Sequence, residues 1–247
     1  MHIPKTAGMS LQGLVIRRHK KTESLFLVYD EAGLKKGFKD IPGLQTVMGH
    51  YRYGFHQFSS RPARYFTFLR EPLAQVRSHY KYTHQHPEKF EALDPNVKNV
   101  LDFAKGSYGY NLQTRFIAGV DTMKGKEEEV LQLAKDNLLK YFELIGIQEQ
   151  FDLSLLMLTK ALGWKINYYV TENKGRAELH VPEYKNELTE ILQYDIRLYN
   201  YALELFENQK KQHPELLQKL KGFQRKNRIF QQLNPYYIVL KRWLGKV

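Results

Sequence analysis

The chain has 247 residues, 43% of them hydrophobic and 13% aromatic, with no cysteine and a formal net charge of +12. This length and composition belong to one globular domain with a sizeable core and not to a disordered chain, and the lack of cysteine excludes disulfides, thiolate catalysis and Cys-ligated zinc and fits a reducing, cytoplasmic compartment. No run of about 18 apolar residues or signal-peptide pattern occurs, and eight basic residues lie after Glu215 with no acidic one, so the charge excess is mostly a tail and no nucleic acid is expected as partner.

The first feature in chain order is the turn His2-Ile3-Pro4-Lys5-Thr6-Ala7-Gly8-Met9-Ser10, followed by apolar periodicity through Leu11, Leu14 and Val15. It predicts a helix whose free N–H groups face an anion, with Gly8 permitting close backbone approach and Ser10 offering a hydroxyl. A Walker A loop is disfavoured, because G-x-x-x-x-G-K-[ST] places lysine after a second glycine and here it precedes a single one. Strands are predicted at residues 25–29 and 46–48, the second running into Gly49-His50. Beyond it, Arg52, Tyr53, Phe55 and His56 supply the cations and aromatic faces that suit a sugar, as do Tyr80, Lys81 and Tyr82 further on.

The next strand, residues 65–69, is apolar almost throughout, as buried parallel strands are, and ends at Arg70. Pro72 suits the first turn of a helix, and Ser78 lies two turns into it. An arginine at a strand end is a common structural ion-pair partner. Paired with the first turn, it reads as the second anchor for a ligand with two anionic ends, since guanidinium can give a phosphate two hydrogen bonds. Residues 84–96 read as a long loop.

Helical spacing recurs in Val130, Leu131, Ala134 and Leu138, in Phe151, Leu155, Leu158 and Leu162, and again from Leu188 through Ile191, Leu192, Tyr199, Ala202, Leu203 and Phe206. Strands at 143–147 and 167–170 alternate with these helices. The expected fold is therefore a single α/β domain with a mostly parallel central sheet flanked by helices, its ligands beyond the carboxyl ends of the strands. A second loop, 173–182, carries Lys174 and Arg176 around Gly175; it reads either as a lid over a nucleotide or as an exposed basic turn. The tail, residues 208–247, reads as a basic helical extension, either solvated or in contact with an anionic polymer or membrane surface.

The two turns carry a family resemblance. His2-Ile3-Pro4-Lys5-Thr6-Ala7-Gly8 resembles the 5′-phosphosulfate loop of the carbohydrate sulfotransferases that use 3′-phosphoadenosine-5′-phosphosulfate (PAPS). Phe68-Leu69-Arg70-Glu71-Pro72 with Ser78 resembles their 3′-phosphate motif. The nearest likeness is to the heparan sulfate and uronyl 2-O-sulfotransferases and their bacterial relatives. It extends to Gly49-His50-Tyr51, to residues 111–119 and to the helix at 195–206, and so spans about residues 2–207.

The resemblance implies a nucleotide-kinase-like fold, transfer of a sulfuryl group from PAPS to a carbohydrate hydroxyl with release of PAP, and no metal. By matching position Lys5, Thr6, Ala7, Gly8, Met9 and Ser10 would cradle the 5′-phosphosulfate, Lys5 acting on the leaving phosphate, while Arg70 and Ser78 would hold the 3′-phosphate. Met9 stands where the family has Thr or Ser, and Met48 where it has a histidine, which leaves the base to His50 or His56. The family also has a full apolar strand before the first turn, so the strand is shortened here or the chain is a fragment. Two other classes stand beside the enzyme: a non-catalytic polyanion-binding relative of the same fold, and a P-loop-like nucleotide kinase.

Overall fold

A computed structural model describes residues 1–18, 24–28, 31–40, 43–59, 61–87, 96–165, 168–170 and 183–243. Tyr65–Leu69 (β3) and Phe142–Ile147 (β4) form the central ladder, parallel and in register from Phe66↔Leu144 to Leu69↔Ile147. Four of the five β3 side chains and five of the six in β4 are buried, which is why both segments are apolar on their two faces. Gly146 sits opposite Phe68, and a Cβ there would meet the Phe68 ring at 2.7 Å, so the glycine makes room for the ring. A second parallel pair joins Ser24–Val28 (β1) to Thr46–Gly49 (β2).

The expectation of parallel strands is met, but among the described residues they form two separate pairs and not one sheet. Residues 1–3 lie between the pairs and bond to each: the Met1 ammonium donates to the Phe66 carbonyl at 3.2 Å, and the His2 N–H to the Gly49 carbonyl at 3.0 Å. Ile3 is fully buried at this junction.

Each turn hands the chain to a helix. Gly8–Arg18 (α1) follows the first turn, Glu31–Asp40 (α2) follows β1, and Pro72–Gln85 (α3) follows β3. Glu71 caps α3, its carboxylate accepting the N–H groups of Leu73 and Ala74, with Pro72 in the first turn where a missing N–H costs nothing. The helix runs through His84 and Gln85, which the sequence assigns to a loop; residues 88–95 of that loop lie outside the described residues.

Val100–Lys105 (α4), Leu112–Ala118 (α5) and Glu127–Tyr141 (α6) precede β4, and Phe151–Ala161 (α7) follows it. The buried Asp195 carboxylate accepts the N–H groups of Gln113 and Thr114 and so caps α5 from across the core. Lys185–Ile191 (α8), Gln193–Lys211 (α9) and Pro214–Trp243 (α10) complete the chain.

The predicted strand at 167–170 is not formed at its described residues, 168–170. There the Tyr169 N–H donates to Asn227 of α10 at 2.8 Å, so a side chain takes the N–H a ladder would use, and the Tyr169 hydroxyl donates to Asp152 of α7 at 2.7 Å. Residue 167 lies outside the description, as does residue 29 of the first predicted strand. Within the basic extension residues 214–243 are helical, and Leu216 and Phe223 join α10 to the main core, where it packs on α7. No helix among the described residues is long and apolar enough to cross a membrane.

Candidate functional site

The first turn is held in a costly conformation. Lys5 and Ala7 both have left-handed φ angles, 68° and 67°. Each such non-glycine residue costs of order 1–3 kcal/mol and persists only where its surroundings impose it. Left-handed residues alternating along a turn point successive N–H groups into one concavity that suits an anion. The Thr6 hydroxyl donates to the Ile3 carbonyl at 2.9 Å, and its side chain is buried, so it braces the turn from within and does not reach a ligand. The first closing bond of α1 runs from the Leu11 N–H to the Ala7 carbonyl, which leaves the N–H groups of Gly8, Met9 and Ser10 without an intrahelical acceptor.

Gly8 has a second reason to be glycine. A Cβ there would lie 1.8 Å from His2 Cε1, because the His2 imidazole packs directly on the helix start. Its Nε2 is buried without a hydrogen-bond partner among the described residues.

The two turns meet directly. Arg70 Nη1 donates to the Lys5 carbonyl at 3.2 Å, and Gln75 Nε2 of α3 to the Pro4 carbonyl at 2.9 Å. Gln113 of α5 fixes Arg70 from the other side, accepting its N–H at 3.0 Å and donating to its carbonyl at 2.8 Å. The Lys5 ammonium sits 4.2 Å from the centroid of the Tyr82 ring. Gln75, Ser78 and Tyr82 are spaced three and four apart, so partly buried Ser78 shares the α3 stripe that faces the first turn.

Neither Lys5 nor Arg70 is in a salt bridge among the described residues. Burial and then the nearby Arg70 charge lower the Lys5 ammonium to about 8. Burial also lowers Arg70, opposed by the more distant carboxylates Glu149 and Glu71. Two neighbouring, partly desolvated cations and the first N–H groups of α1 are the elements that a polyanion site requires.

His50 closes one side. Its Nδ1 lies 3.0 Å from the His2 carbonyl, and the two imidazoles are 4.5 Å apart. A carbonyl can only accept, so Nδ1 carries the hydrogen and the basic lone pair falls on Nε2. Burial first, and the Lys5 charge after it, lower the His50 pKa, although the bond to His2 opposes them. The neutral imidazole is therefore the resting form.

Several proposed acceptor residues lie elsewhere. His56 Nδ1 pairs with the Tyr65 hydroxyl at 2.9 Å, at the amino end of β3. That is five residues, roughly 16 Å of strand, from Arg70. Tyr53 joins the same aromatic group, stacked 5.3 Å from Tyr141 and tilted against Tyr65 at 5.0 Å. Arg52 is ion-paired with Asp121 at 2.5 Å. Tyr80 is a core residue with Val76 and Phe103, its hydroxyl on the Lys98 carbonyl. Nothing in the sequence separated these from ligand-facing residues, because both kinds are aromatic or basic.

Lys174 and Arg176, the proposed lid, lie outside the described residues, as does the Met9 side chain. Conversely, Gln75, Gln113 and the imidazole of His2 were not singled out. The signal for Gln75 was its place one turn before Ser78 on the face that meets the loop. Tyr82, offered as a sugar platform, meets Lys5 instead. No protein-family model matches the chain, and no curated protein matches it.

Proposed function

We propose that the chain is a transferase that grips a nucleotide by two anionic ends, and that the group it moves is sulfuryl, from PAPS to a carbohydrate hydroxyl. The observation that carries this reading is the contact of Arg70 with the Lys5 carbonyl: it brings the two turns together, each with a cation that has no salt bridge among the described residues. The motif likeness supports the choice of nucleotide. On the same reading the two parallel pairs, with residues 1–3 bonded to each, correspond to the two sides of a nucleotide-kinase-like sheet.

The fit to PAPS rests on the N–H groups at residues 8–10, which have no intrahelical acceptor, and on Lys5 and Arg70, which have no salt bridge among the described residues. The turn and Lys5 would hold the 5′-phosphosulfate, and Arg70 and Ser78 the 3′-phosphate. PAPS supplies an activated sulfuryl group on a phosphate leaving group. Lys5 places positive charge at the end of the site where that phosphate would gain negative charge. His50 takes up the acceptor hydroxyl's proton at Nε2, and its neutral resting form lets it do so at neutral pH.

Titration calorimetry with PAP, ATP and heparin, each without magnesium, tests the reading. PAP should bind, and Arg70→Ala should weaken it about 10- to 150-fold, as loss of a charged hydrogen bond does. Preference for ATP with magnesium would favour a nucleotide kinase, and binding of heparin alone a non-catalytic polyanion binder. A glycan panel with labelled PAPS then identifies the acceptor.

A further inference from the structure

The long C-terminal helix, which packs on α7, presents a second group of cations. One side of α10 is accounted for: Leu216, Phe223 and Asn227 are buried, with Asn227 bonded to Tyr169. The remaining surface exposes Lys219, Lys221, Arg225, Lys226 and Arg228 within ten residues. None of the five is in an ion pair among the described residues, and the sequence after Glu215 offers no carboxylate.

Ile229 and Leu233 are 47% and 58% exposed. With Lys219 and Lys226 they fall at intervals of seven, three and four, which places all four on one flank of the helix, beside Arg225. Lysines are ordinary on a solvated helix flank; two aliphatic side chains about half exposed among them are not. Cations alone would suit any polyanion, whereas aliphatic side chains between cations match the boundary of headgroups and acyl chains.

We propose that this flank of α10 docks the protein on an anionic lipid surface, with Lys219, Arg225 and Lys226 at the headgroups and Ile229 and Leu233 entering the acyl boundary. The proposal is independent of the nucleotide site. The test is co-sedimentation of the full chain with phosphatidylcholine vesicles, pure or with about a third phosphatidylserine. The protein should follow only the anionic vesicles. Each basic residue near such a surface contributes about fivefold, so Lys219→Gln/Arg225→Gln/Lys226→Gln should lower partitioning about a hundredfold. Ile229→Ser/Leu233→Ser should lower it about tenfold, with heparin binding unchanged.

Thermal melts confirm that these exposed substitutions leave the fold intact. Equal binding to neutral and anionic vesicles would overturn the proposal. So would an Ile229→Ser/Leu233→Ser protein that sediments like the parent, since the helix would then read charge alone, as for a soluble polyanion.

Discussion

Gly8→Ala places a methyl group where the structure has an imidazole. The new Cβ would stand 1.8 Å from Cε1, 1.9 Å from Nε2 and 2.4 Å from Nδ1 of His2, where ordinary contact begins at 3.4 Å. The ring must therefore move by well over an ångström. The His2 backbone is held, its N–H on the Gly49 carbonyl and its carbonyl on His50 Nδ1, and the ring centroid lies 4.5 Å from that of His50, which restricts the movement. Overpacking of this kind costs about 1–3 kcal/mol, which for a chain of this size lowers Tm by about 2–12 °C.

PAP affinity should fall with it, because the first turn of α1 shifts. His2→Ala removes the obstruction but keeps the carbonyl that orients His50. The double variant His2→Ala/Gly8→Ala should thus be more stable than the sum of the single effects, by about 1 kcal/mol or more. Thermal melts and PAP titrations of the four proteins form the cycle. A Gly8→Ala protein as stable as the parent, or strictly additive effects, would refute the packing of His2 on the loop.

His50→Ala should reduce sulfuryl transfer about 10²–10⁴-fold at saturating acceptor and leave PAP affinity nearly unchanged, while His56→Ala, at the far end of β3, should leave turnover near the parent's; retention of most activity by His50→Ala would remove it as the base. Lys5 loses its proton near pH 8 in the free protein and regains it when an anion binds. PAP affinity should accordingly be steady below pH 8 and fall as pH rises above it, by about tenfold per unit. Tyr82→Leu withdraws the ring that favours the charged ammonium, so this alkaline limb should begin about half a unit to one unit lower; a limb that does not move would deny Tyr82 that role.

Local features were legible where local physics decides them. The helix stripes in α6, α7 and α9 follow from 3.6-residue periodicity, and β3 and β4 from short apolar runs that are buried on both sides. The turns at residues 2–10 and at Arg70 were readable as strand-to-helix turns because glycine and proline act on the backbone within a few residues of themselves. Pro72 marked the start of α3 for the same reason.

What the sequence could not determine is which distant groups complete those turns. Tyr53 and Tyr82 look alike as aromatic residues beside basic ones, yet one stacks at the amino end of β3 and the other under Lys5, a difference made by sheet register and by the face of α3. His50 stood ahead of His56 as the candidate base, but only the fold shows Nδ1 of the first on the His2 carbonyl and that of the second on the Tyr65 hydroxyl. The segment at 168–170 has strand composition but gives its N–H to Asn227, 58 residues away. Periodicity and turn chemistry are local and survive in one dimension, whereas ring packing, tautomer and pairing partner depend on residues that only the folded chain brings together.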